Sequence, residues 1–165
     1  MKLIVSDASP LIVIAKSGLI PMLKSIAEEV IIPQSVYAEC TVNPALPGAQ
    51  AVQAAVNAGQ IQVRPDPIQP EETPDEGLDA GELAAIRLAL ALRCPVLMDE
   101  RLGRQAAQRR GLSIIGSAGL LLDAKQRGLI PAVAPILDQW RQEGYFLSAN
   151  IIDAVLKRAG EGKTP

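Results

Sequence analysis

Short apolar runs alternate with helical patterns along this chain, and two of the runs stop abruptly at an aspartate where a helix starts. They are Leu3-Ile4-Val5-Ser6-Asp7-Ala8-Ser9-Pro10 and Val96-Leu97-Met98-Asp99-Glu100-Arg101. Strands alternating with helices predict an α/β fold, a three-layer sandwich with a mainly parallel central sheet of about five strands. In such sheets ligands bind beyond the carboxyl ends of the strands, where the strand order reverses. Two acids delivered there from distant parts of the sequence suggest a metal site.

The first run and residues 30–32, 61–63, 96–98 and 112–115 read as strands. Ser9 is expected to cap the first helix with Pro10 at its first position, and the helix continues over 11–16 until Gly18. Pro33 begins a second helix carrying Tyr37, Glu39 and Cys40, and over 48–58 the residues Ala51, Val52, Ala55 and Val56 recur at helical spacing. Asp79 precedes a helix that is apolar almost all round, Leu83, Ile86, Leu88, Leu90 and Leu92, which predicts burial against the sheet. A basic helix over 101–110 stops at Gly111, and helices over 118–127, 136–143 and 149–159 are each followed by glycine. Residues 65–77, with four prolines and five acids, read as a surface loop inside one continuous strand and helix alternation. One domain over 1–160 is expected, with 161–165 as a disordered tail.

Composition removes several chemistries. A chain of 165 residues with 48% hydrophobic content and no long apolar span is most simply one soluble domain. Its apolar start is cut short at Ser6-Asp7 and offers no cleavage site, so the expected location is cytoplasmic, with no membrane partner. Cys40 and Cys94 are the two cysteines; both lie in apolar patterns and read as buried thiols rather than a disulfide or a zinc cluster. Histidine is absent, which excludes Ser-His-Asp and Cys-His nucleophile systems and argues against zinc. Catalysis is left to carboxylates, hydroxyls, Lys, Arg or a hard, oxygen-bound ion. A net charge of −2 and 2% aromatic residues argue against a general nucleic-acid coat or a base-stacking platform, and leave room for a local basic patch.

Four motifs in order resemble the PIN-domain ribonucleases, and among them bacterial and archaeal proteins related to VapC-type toxins. They are Ser6-Asp7-Ala8-Ser9-Pro10-Leu11-Ile12, Ile32-Pro33-Gln34-Ser35-Val36-Tyr37-Ala38-Glu39, Ala80-Gly81-Glu82-Leu83-Ala84-Ala85-Ile86 and Leu97-Met98-Asp99-Glu100-Arg101-Leu102-Gly103-Arg104. The segments Arg127-Gly128-Leu129-Ile130-Pro131 and Gly144-Tyr145-Phe146-Leu147-Ser148 are similar to one subgroup. The resemblance implies that Asp7, Glu39, Glu82 and Asp99 are catalytic and converge to bind one or two Mg²⁺ or Mn²⁺ ions. It further implies an RNA substrate, a homodimer and, for a toxin, an antitoxin protein as partner. Hard divalent ions take oxygen ligands, and a metal-bound water made more acidic by the ion can attack a phosphodiester.

Each acid also has a bland explanation. Asp7 and Asp99 precede helices, where the dipole and free N–H groups favour a carboxylate. Glu82, three residues after Asp79, fits a capping box. Glu39 sits near a helix end, where a solvated glutamate costs little. Four carboxylates facing one crevice nevertheless need a cation, because two at about 4 Å repel by roughly 4 kcal/mol at an effective dielectric of 20. Asp79 as a cap, Glu100 as an auxiliary acid and the mid-helix Asp123 are weaker ligand candidates. Ser9 is a candidate to orient Asp7 or a bound water. Arg101 and Arg104, nearest Asp99, are the better candidates for substrate phosphate, whereas Arg109 and Arg110 read as a solvated face. Two other classes compete: a partner-binding module with an unused acidic site, and an aspartyl-phosphate phosphatase. The phosphatase is disfavoured by Ala8-Ser9 after Asp7 and by the lack of lysine between Lys24 and Lys125.

Overall fold

The computed structural model describes residues 1–68 and 77–162. The chain divides into two compact units, Met1–Ile115 and Gly116–Pro165. The first unit holds the sheet: β1 (Leu3–Ser6), β2 (Glu29–Pro33), β3 (Gln62–Arg64), β4 (Val96–Leu97) and β5 (Ile114–Ile115). All neighbours are parallel, in the order β3-β2-β1-β4-β5. Ile4, Val5, Val30, Ile31, Ile32, Val96 and Leu97 are buried, the continuous apolar signature of strands covered on both faces.

Between the strands lie α1 (Ala8–Lys16), α2 (Ile20–Ile26), α3 (Gln34–Cys40), α4 (Pro47–Asn57), α5 (Ala80–Leu92) and α6 (Arg101–Arg109). Parallel crossovers are right-handed. The chain steps from β1 to β2 and β3 in one direction and then back past β1 to β4 and β5, so its helices cover both faces. This is the expected three-layer α/β architecture. The reversal sets β1 beside β4, with Val5 level with Val96 and Ser6 level with Leu97. Their carboxyl ends form the switch point at which open parallel sheets bind ligands.

Local differences from the sequence reading have physical causes. Helix α2 was not expected; Gly18, with φ of 73°, ends α1, and a new helix starts two residues later with Pro21 in its first turn. Its residues Ile20, Met22, Leu23 and Ile26 are buried. Ser9 is not a cap. Helix α1 begins at Ala8 with Asp7 as the N-cap, which makes Ser9 and Pro10 its second and third residues, where Pro10 removes one unsatisfied N–H. Pro33 ends β2 and is the N-cap of α3 rather than its first residue. Of the expected surface loop, 69–76 lie outside the described residues. Cys40 and Cys94 are buried free thiols.

The second unit consists of α7 (Ser117–Gln126), α8 (Ala134–Gln142) and α9 (Ala149–Arg158), with α7 packed on α9. Ser148 caps α9 by accepting the Ile151 N–H at 3.2 Å. Trp140 meets Tyr145 edge to face, ring centroids 5.8 Å apart. Glu161 accepts from the Val133 and Ala134 N–H groups and from Lys125 Nζ, tying the end of the chain to the start of α8. Of the tail expected from 161, Glu161 is therefore held in place, and 163–165 lie outside the described residues. Among the described residues no single helix is long and apolar enough to cross a membrane.

Candidate metal centre

Asp7 stands at the switch point itself. Its N–H donates to the Leu97 carbonyl at 2.9 Å, which ties the exit of β1 to the last residue of β4. The residue is only 3% exposed, and as N-cap of α1 its side chain makes no capping hydrogen bond. Burial pushes its carboxyl from 3.8 up to about 7, against the lowering pull of the Ala8 N–H and with help from the charges of Glu39, Glu82 and Asp79. A buried aspartate that forgoes the cap its position offers, under pressure from three other acids, is what a site for a cation requires.

The other acids arrive on the elements around it. Glu39 comes from α3, which follows β2 and packs against α5. Glu39 is exposed overall, yet partial burial of its carboxyl and the charges of Asp79 and Glu82 raise it above the usual range. Glu82 is the third residue of α5 and closes the expected capping box. Asp79 Oδ1 accepts the Glu82 N–H at 2.7 Å, while the Asp79 N–H donates to Glu82 Oε2 at 3.1 Å. Partial burial again raises Glu82, and Asp79 and Glu100 add to the rise against the lowering effect of the Asp79 N–H.

Asp99 follows β4. The pairing of Ser6 with Leu97 puts Asp7 level with Met98, one residue before Asp99. Asp99 is half-buried, and the N-cap of α6 is Glu100, not Asp99. The backbone ahead of it is fixed from two sides. Arg104 Nη1 donates to the Met98 carbonyl at 2.8 Å, and the fully buried Met98 lies so close to α6 that a Cβ on Gly103 would sit 2.5 Å from its sulfur. Arg104, a substrate candidate on sequence grounds, thus has a positioning task as well. Arg101 is exposed at the start of α6. Ser9 is half-buried in the first turn of α1.

Two acids rated as weaker candidates belong to this neighbourhood. Asp79 acts on Asp7, Glu39 and Glu82, and Glu100 acts on Glu82. The sequence signal was the Asp79-to-Glu82 spacing, which identified the cap correctly and thereby hid its proximity to the other acids. Asp123 belongs to α7 and pairs with Arg127 at 3.1 Å.

The donors are hard oxygens, which suit Mg²⁺ or Mn²⁺ rather than zinc. The nearby thiol does not change this: burial, then Glu39 and Asp7, push Cys40 up to about 12, so it stays protonated. Among the described residues no three His, Cys, Asp or Glu side chains stand close enough together to hold an ion in common. Mg²⁺ keeps several waters and takes only one or two carboxylates directly, so it does not require three side chains in common.

A parallel sheet with carboxylates near its switch point defines the class, an α/β fold with an acidic carboxyl edge. The family model DUF3368, described as a PIN domain, matches residues 3–161. The chain belongs to this PIN-domain family. Its structure is similar to that of a domain of a functionally unknown protein from Methanocaldococcus jannaschii DSM 2661, with 16% identity and a TM-score of 0.47, covering 70% of this chain and 91% of that one. That likeness is too distant to bear on function. No curated protein matches the sequence.

Proposed function

We propose that this protein is a metal-dependent endoribonuclease that hydrolyses RNA phosphodiester bonds with Mg²⁺ or Mn²⁺. The observation that carries the reading is Asp7, buried and uncapped at the switch point with Glu39, Asp79 and Glu82 pressing on it. Asp7 and Asp99 would hold the ion from the ends of β1 and β4, with Glu39 and Glu82 completing the site, directly or through water. When bound, the ion supplies an acidified water and neutralises charge that develops on the phosphoryl oxygens. Asp7 must first lose its proton, so its raised pKa couples ion binding to pH. Arg101, exposed beside Asp99, offers charge to the RNA backbone, and Arg104 holds the Met98 carbonyl so that Asp99 keeps its place. Ser9, in the first turn of α1, orients Asp7 or a water next to it.

The four motifs also support a narrower reading: a cytoplasmic, VapC-like toxin that pairs with an antitoxin protein and acts as a homodimer with two acidic sites in one groove. Light scattering tests the dimer, and a monomer at micromolar concentration would contradict it. A small antitoxin-like gene beside this one would support the toxin role.

The activity is tested by incubating the purified protein with structured and single-stranded RNAs, with Mg²⁺, with Mn²⁺ and with chelator. Cleavage with an ion, abolished by chelator, is expected. Intact RNA in every arm would leave the fold serving as a partner-binding module with an unused acidic site.

A further inference from the structure

Helix α6 starts two residues after Asp99, and its two sides differ sharply. Gly103, Ala106 and Ala107 form the buried side, and the helix packs on α5 and β5. At about 100° per residue, Gln105, Gln108 and Arg109 lie about 40°, 20° and 80° around the axis from Arg101. Arg101, Gln108 and Arg109 are exposed and Gln105 is half-buried, so the outer face is built of guanidinium and amide groups. None of the residues of α6 is acidic. A face that is merely solvated interleaves acids with bases that pair four residues apart, and a helix that docks on a protein presents apolar anchors at i, i+3 or i+4 and i+7. This face does neither: positions 101, 105 and 108 are Arg, Gln and Gln, and the apolar Leu102 stands at its flank. Donors of one sign of charge in a chain of net charge −2 suit a polyanion.

We propose that this face is a track for the backbone of an RNA strand leading away from Asp99, with Arg101, Gln105, Gln108 and Arg109 as its contacts; this rests on the nuclease reading above. Aromatic side chains make up 2% of the chain, so its grip on RNA falls mainly on the backbone. From Arg101 to Arg109 the helix rises about 12 Å, the reach of three or four nucleotides at about 3.4 Å each. The arginines neutralise phosphates, the glutamines donate to phosphate or sugar oxygens, and such contacts set register without reading sequence. Arg109, a solvated residue on sequence grounds, becomes part of the substrate surface.

The test measures binding of a labelled single-stranded RNA to the full chain in chelator, where the RNA stays intact, across about 50 to 200 mM salt, with circular dichroism to establish that each variant is folded. Arg109→Gln should bind severalfold more weakly and flatten the slope of log affinity against log salt by about 0.7, the value of one phosphate contact on a single strand, while Arg109→Lys keeps it. Gln105→Glu gives a sharper contrast, because a glutamate there stands four residues from both Arg101 and Arg109 and supplies an acid that the helix lacks. It should weaken RNA binding while leaving thermal stability unchanged or raised, which a structural role of Gln105 would not produce. Arg93→Gln, before β4 rather than after it, should keep the wild-type slope. Unchanged affinity and slope in Gln105→Glu and Arg109→Gln would overturn the track in favour of an acidic protein surface and leave the nuclease reading standing. An equal loss in Arg93→Gln would overturn it too, by reducing the effect to overall charge. A wild type that binds no RNA at the lowest salt would also overturn it, while cleavage with Mn²⁺ decides the nuclease reading separately.

Discussion

The N–H of Asp7 donates to the carbonyl of Leu97 at 2.9 Å, so the residue that opens α1 is fastened to the last residue of β4. The two residues are 90 positions apart and become neighbours only because the chain reverses direction across the sheet. The bond therefore connects the fold to the site. It brings the exits of β1 and β4 together and with them the acids that follow.

Stability should depend on pH through Asp7. Its carboxyl titrates at about 7 when folded and near 3.9 when unfolded, so between those values the folded chain holds the extra proton. Stability of the metal-free protein is then full below about pH 4 and falls as pH rises toward 7, by on the order of 4 kcal/mol for this group. Glu39 and Glu82, also raised, act in the same direction. Urea unfolding in chelator from pH 4.5 to 8 measures the slope. Asp7→Asn should flatten it and be more stable than wild type at pH 8; a wild-type stability that rises with pH over this window would contradict the assignment.

Gly103→Ala tests how Asp99 is held. The new methyl would meet Met98 Sδ at 2.5 Å in a fully buried position, and overpacking of this kind costs about 1–3 kcal/mol. Adding Met98→Ala should make the second change cost less in the Gly103→Ala background than alone, and additive effects would show that the two residues do not press on each other.

Much of this molecule was legible in its sequence, and the lapses follow from local physics. The parallel sheet was readable because β-strands such as Val30 to Ile32 are short and apolar throughout, and each is followed by a helical pattern. Helix α2 was not readable, since Gly18 is a stop signal whether coil or another helix comes next. Ser9 and Asp7 compete as caps two positions apart, and the tie is broken by where β1 ends. Asp79 was correctly seen as a cap, but its closeness to Glu39 depends on α3 and α5 packing together, which no spacing within either helix encodes. The task of Arg104 was hidden for a similar reason, because its acceptor is a backbone carbonyl of β4's exit.

Arg93 provides a stability prediction independent of the site. Among the described residues every other positive φ belongs to a glycine, whereas Arg93 ends α5 with φ of 53°. Left-handed backbone is costly for a residue with a Cβ, so Arg93→Gly should stabilise the protein by about 0.5–1 kcal/mol in urea unfolding. Destabilisation would mean that the arginine side chain contributes more than its backbone strain costs.

The central claim is that acids carried by β1 and β4 hold one ion in common, and thermal unfolding of wild type, Asp7→Asn and Asp99→Asn with chelator and with excess Mn²⁺ tests it most directly. At 100 times the dissociation constant a bound ion stabilises the folded chain by about 2.7 kcal/mol. The account predicts a clear upward shift in Tm for wild type and little or none for either variant. Equal Mn²⁺-induced shifts in all three proteins would contradict it.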